Sequence, residues 1–93
     1  MDTLFSEVPI DVEKINAEDL DKEMMRIAIM AEFDAINMYE QMANLTDDKD
    51  LKTILLDIAR EEKIHVAMFE TVLMEVDHEY LKVMADYSLA RKE

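Results

Sequence analysis

From Leu51 onward, positions 51, 55, 58, 62, 65, 69, 72 and 76 step alternately by four and three residues. That rhythm keeps every member on one stripe of an α-helix and does not suit the two-residue period of a strand. The stripe reads Leu51, Leu55, Ile58, Glu62, His65, Phe69, Val72, Val76. An earlier segment repeats it with Met25, Ile29, Glu32, Ile36, Tyr39 and Ala43. Each apolar stripe needs cover, and the nearest cover is the other stripe. Three residues break the pattern. Glu32, Glu62 and His65 stand where apolar side chains belong, and such groups are costly to bury unless paired or bound to metal.

The rest of the chain agrees with helices. Glycine is absent and Pro9 is the single proline, so few residues suit turns. Ninety-three residues make one small domain. Of these, 51% are hydrophobic, more than a helical hairpin can hide, so a second copy is expected to cover the remainder. Nine methionines suit the irregular gaps of a helix–helix interface.

Charge and missing residue types exclude several functions. A net charge of −13 argues against a nucleic-acid partner and draws cations instead. Most of the 23 acidic residues read as a solvated outer face. Without cysteine there are no disulfides, no thiolate catalysis, no iron–sulfur cluster and no four-cysteine iron centre. No apolar run approaches the ~20 residues of a membrane span, and the acidic N-terminus lacks a signal peptide's basic region. The expected location is the cytoplasm, away from membranes.

Residues 1–15 carry no sustained periodicity and read as an irregular arm, followed by a helical domain over 16–93. Helices are expected over about 17–44, 48–75 and 78–90, with Asn16, then Thr46 or Asp47, then Asp77 as N-caps. The fold class is therefore all-α, an antiparallel two-helix hairpin plus a short third helix. Dimerisation would complete a four-helix bundle. With Thr46 at the centre of the connection, Glu32 lies 14 residues before it and Glu62 lies 16 after it. At ~1.5 Å per residue the two differ in height by about 3 Å, less than one turn. Glu62 and His65, three apart, share a helical face. Three possible ligands thus converge.

An E-x-x-H string alone means little in a chain so rich in Glu. A second copy, Glu75 and His78, falls at the break between helices and reads as a surface accident. The first copy is stronger because it lies on the apolar stripe and a third carboxylate faces it. Carboxylate oxygens with imidazole nitrogen suit iron, manganese or zinc. A complete di-iron carboxylate set in a four-helix bundle takes a Glu from each of two helices and Glu-x-x-His from each of the other two. This chain has one of each, so a twofold axis beside Glu32 and His65 would supply the rest. The plain alternative is a buried Glu–His pair in an ordinary helical dimer.

The stretches AEFDAINMYEQMA (Ala31 to Ala43) and LLDIAREEKIHVAMFETVL (Leu55 to Leu73) resemble the encapsulated ferritin-like proteins, single-hairpin relatives of ferritin and rubrerythrin. The resemblance implies a ferroxidase serving iron storage or detoxification. Its ligands would be Glu32, Glu62 and His65, with two iron ions per dimer interface. Tyr39 matches a family tyrosine that hydrogen-bonds a ligand carboxylate, though an ordinary core aromatic would also fit there. The implied partners are a homodimer, a larger ring such as a decamer, and an encapsulin shell protein, fused or in trans, that encloses the domain in a nanocompartment. Some relatives carry an outer metal-uptake site whose matching positions here hold Ala31, Asp34, Asp57, Glu61 and Ile64, a depleted set. The final residues, Ala90-Arg91-Lys92-Glu93, do not read as a docking tail. A non-catalytic, metal-stabilised helical assembly module is the second reading.

Overall fold

Polar side chains mark where each helix starts and stops. In the computed structural model, which describes residue 10 and residues 13–92 without the side chains of 18 and 89–92, three helices follow one another. They are α1 (Ala17–Leu45), α2 (Lys49–Val76) and α3 (His78–Lys92). The arm expected over 1–15 lies mostly outside the described residues. Asn16 holds the first cap position through its backbone, whose oxygen accepts from the Asp19 N–H at 2.9 Å, while its side chain makes no cap bond.

The hairpin turn differs in one detail from the expectation. The cap of α2 is Asp48, not Thr46 or Asp47, and its Oδ1 accepts from the N–H groups of Asp50 and Leu51 at 2.9 and 3.1 Å. Thr46 is already engaged, because its Oγ1 accepts from the Asp48 N–H at 3.2 Å and shapes the turn itself. Asp77 does cap α3, accepting from the Tyr80 N–H at 3.1 Å. Its own N–H donates to the Leu73 carbonyl at 2.9 Å, so one residue closes α2 and opens α3.

Packing corrects the second stripe by about half of one residue step, roughly 50°. On α1 Ile29, Ile36 and Ala43 are buried, as the spacing predicts, and so is Ala35, one residue off that stripe. On α2 they are Leu55, Ala59, Val66 and Leu73, whereas Leu51 and Val72 are 44% and 40% exposed. The true inward line is Leu55, Ala59, Glu62, Val66, Phe69, Leu73, and the expected stripe strayed onto its neighbour because that neighbour is apolar too. Ile29, Ile36, Val66 and Leu73 form the core, with Met25, Phe69, Val76 and Tyr80 packed against it. Each such side chain stabilises the fold by about 1.5–3 kcal/mol. Four are a thin core against the entropy of the chain.

In an antiparallel pair the residue before each inward position falls on one flank and the residue after it on the other. The following residues make the polar flank, where charged and amide side chains alternate with exposed Met30, Phe33 and Leu56. There Lys63 Nζ meets Glu40 Oε2 at 2.8 Å and the Arg26 guanidinium donates to Asp77 Oδ2 at 2.9 Å. The preceding residues make an apolar flank of Met24, Ala28, Ala31, Ala35, Met38 and Met42 on α1. Ile54, Ile58, Glu61, His65, Met68 and Val72 continue it on α2. The described chain measures 47 × 44 × 15 Å. A 29-residue helix spans ~43 Å. The second long dimension exceeds the width of two helices, and α3 contributes to it, since positions 81–88 are all exposed.

Candidate metal centre

Glu32 sits at an inward position of α1 between Ile29 and Ile36, and Glu62 at an inward position of α2 between Ala59 and Val66. The hairpin's walls shield both, leaving their side chains 17% and 18% exposed. His65 precedes the inward Val66, so it stands on the apolar flank with its side chain 48% exposed. Its ring Nδ1 lies 2.8 Å from Glu32 Oε2 and 3.9 Å from Glu62 Oε2. One donor atom from each of the three lies within 4.8 Å of the others. Residues 30 and 33 apart along the chain meet because the short turn sets their heights equal.

The charges in this group do not balance. The Glu62 carboxyl is pushed above its usual range by a side-chain hydrogen bond with Glu32, by partial burial and by the Glu32 charge. Glu61 adds to the push, while His65 pulls the other way. Two carboxylates and an imidazole so close together suit a divalent cation of the iron, manganese and zinc type. They leave a half-open position toward the apolar flank, where His65 stands.

The other residues singled out by sequence do not join the group. Tyr39 is half-buried on the inward stripe of α1. It lies seven residues, about 10.5 Å along the axis, from Glu32. Among the described residues its hydroxyl makes no hydrogen bond. Asp34, Asp57, Glu61 and Ile64 are exposed and Ala31 is half-buried. No second group of three possible ligands forms among the described residues. Glu75 and His78 stand on different helices, so the spacing that would align them is lost at Asp77. Sequence reasoning missed the Arg26–Asp77 pair, which joins residues 51 apart. It also missed the second α1 stripe, although the positions 24, 28, 31, 35, 38 and 42 carry the same four–three rhythm.

A helical hairpin with two carboxylates and an imidazole gathered at its edge is a helical domain with a cluster that could hold a metal ion. The chain belongs to the EncFtn-like family, whose sequence profile matches residues 7–89. It is 54% identical over 57 residues to a ferritin-like–encapsulin shell fusion protein of Pyrococcus furiosus, covering 61% of this chain and 16% of that protein. It is 40% identical over 55 residues to the encapsulin nanocompartment cargo protein EncC of Myxococcus xanthus, covering 59% of this chain and 42% of that protein. The chain therefore spans less than half the length of either curated relative. The crystal structure of an encapsulated ferritin domain from Pyrococcus furiosus matches it with a TM-score of 0.73 and 42% identity, covering 85% of this chain and 79% of that one. The all-α fold of hairpin plus short third helix is shared.

Proposed function

We propose that this chain is one half of a ferroxidase centre, with Fe(II) as its substrate. The carrying observation is the Glu32, Glu62 and His65 group, its donor atoms within 4.8 Å of one another and its His65 half-exposed on the apolar flank. A second copy related by a twofold axis along that flank would add the same three groups. Four carboxylates and two imidazoles would then hold two iron ions, as in a di-iron carboxylate bundle. Carboxylates that move between terminal and bridging positions keep both ions close while dioxygen or peroxide takes their electrons. Glu62 gives up its proton on loading, and His65 supplies a neutral nitrogen donor. Tyr39 is out of reach of Glu32 on its own helix, so its bond to a ligand carboxylate is assigned to the other copy.

The relatives support an encapsulin shell, fused or in trans, as the compartment that receives ferric product, because a pair of hairpins encloses little space. That compartment would lie in the cytoplasm. The second reading, a metal-stabilised assembly module without turnover, has in its favour that the same group would hold zinc or manganese. Anaerobic Fe(II) loading followed by air separates the two. One iron per chain with rapid growth of ferric absorbance supports the ferroxidase; stoichiometric binding without oxidation supports the module.

A further inference from the structure

The apolar flank is rich in one reactive side chain. With no cysteine and no tryptophan in the chain, the thioethers of its nine methionines are its most readily oxidised groups. Met24, Met38 and Met42 on α1 and Met68 on α2 all precede inward positions, so they share the flank that carries His65. In the single chain they are 38%, 42%, 37% and 60% exposed. Met68 stands one turn from His65. Met30, 55% exposed, lies away from that flank and serves as an internal comparison.

We propose that these four methionines make assembly of the iron site redox-sensitive. Peroxide reaching the metal-free single chain oxidises them and holds the chain out of the paired state. The step transfers one oxygen from hydrogen peroxide to the thioether sulfur, breaking the O–O bond and releasing water, with sulfur oxidised and peroxide reduced. The product sulfoxide is polar where an apolar, adaptable side chain was needed. Burying it against a second copy without a hydrogen-bond partner disfavours pairing. Once pairing has occurred the same sulfurs are covered, so metal-driven assembly protects them. This rests on the reading that a second copy completes the iron site along this flank.

The test treats demetallated full chain with hydrogen peroxide, maps sulfoxide by peptide mass spectrometry, and follows metal-induced association by sedimentation velocity. Sulfoxide at positions 24, 38, 42 and 68 should raise the protein concentration needed for association by at least roughly tenfold. Methionine sulfoxide reductase should restore it. A variant carrying M24L, M38L, M42L and M68L should assemble after the same treatment although Met30 is oxidised. Assembly first and peroxide second should leave the four sulfurs unmodified and Met30 oxidised. Unimpaired association of the oxidised parent, or lost association of the oxidised variant, overturns the inference alone. Reduced protein that stays monomeric with metal overturns the paired-site reading, and this inference with it.

Discussion

The two flanks of one hairpin differ in how they are held. The polar flank carries charges that meet within the chain, in Lys63–Glu40 and Arg26–Asp77 pairs, beside exposed Met30, Phe33 and Leu56. On the apolar flank Met24, Met38 and Met42 of α1 and Ile54, Met68 and Val72 of α2 stand exposed among the described residues. Surface ion pairs contribute only about 0–1 kcal/mol each, so the polar flank orients more than it stabilises. Burying a large apolar side chain stabilises by about 1.5–3 kcal/mol, so the apolar flank holds unused association energy. The Glu32, Glu62 and His65 group reaches that second flank through His65, whose side chain is 48% exposed.

The largest expected effect tests whether the chemistry belongs to the apolar side. Glu32→Ala or Glu62→Ala removes one carboxylate per chain, two per pair. Fe(II) oxidation by stopped-flow absorbance should fall beyond the roughly hundredfold loss typical of outer-shell changes. Helix content by circular dichroism should persist, and Glu75→Ala should oxidise iron at the parental rate. A Glu32→Ala protein with undiminished oxidation would falsify the assignment.

Next comes the association surface. Ile58→Lys places a charge in the middle of the apolar flank, next to the cluster level, where burying it unpaired costs several kcal/mol. Sedimentation velocity with Mn(II) should show single chains only, whereas Lys63→Ile on the polar flank should associate like the parent. Equal association of both would remove the distinction between flanks.

Acid should separate the flanks by sign. Glu62 carries its proton to higher pH than an ordinary glutamate, and metal must displace that proton. Metal affinity by titration calorimetry should therefore weaken as pH falls, starting above the usual carboxylate range. Asp77 behaves oppositely, held below its ordinary value of 3.8 first by the Tyr80 N–H and then by Arg26 and Lys22. A depressed carboxyl stabilises the fold above its unfolded value, and that contribution fades only as pH drops through the lower folded value. The α3 junction should outlast the metal site in an acid titration.

The smaller effects lie on the polar flank. Asp77→Ala removes the α3 cap and the Arg26 partner together, and should lower Tm by several °C while iron oxidation stays within about twofold. Smallest of all, Lys63→Ala should shift stability by no more than about 0.5 kcal/mol, since the pair it breaks is exposed. A larger loss in urea unfolding would mean the pair fixes helix register after all.

Much of this was legible in the sequence because it is local or periodic. The four–three rhythm marks α1 and α2, Asp77 marks the α3 cap, and the arithmetic across the turn brings Glu32 level with Glu62 and His65. The α2 stripe was misplaced for a physical reason. Apolar residues occupy both its inward line and the adjacent flank, so periodicity alone could not choose between Val66 and His65 as the inward residue. Similarly, Thr46, Asp47 and Asp48 all have capping side chains, and only the Asp50 and Leu51 N–H groups, which donate to Asp48 Oδ1, show which of them caps.

By itself the sequence determined that the chain is helical, where its helices lie and which three polar side chains face one another, because helical spacing and turn length are short-range properties. The tertiary structure decided the rest. Packing Ala59, Val66 and Leu73 against α1 rotates α2 until His65 stands at the rim, its ring nitrogen 2.8 Å from Glu32. That rotation divides the hairpin into a flank that carries both ion pairs and a flank that carries His65. It depends on contacts between residues far apart in sequence, which no local pattern encodes.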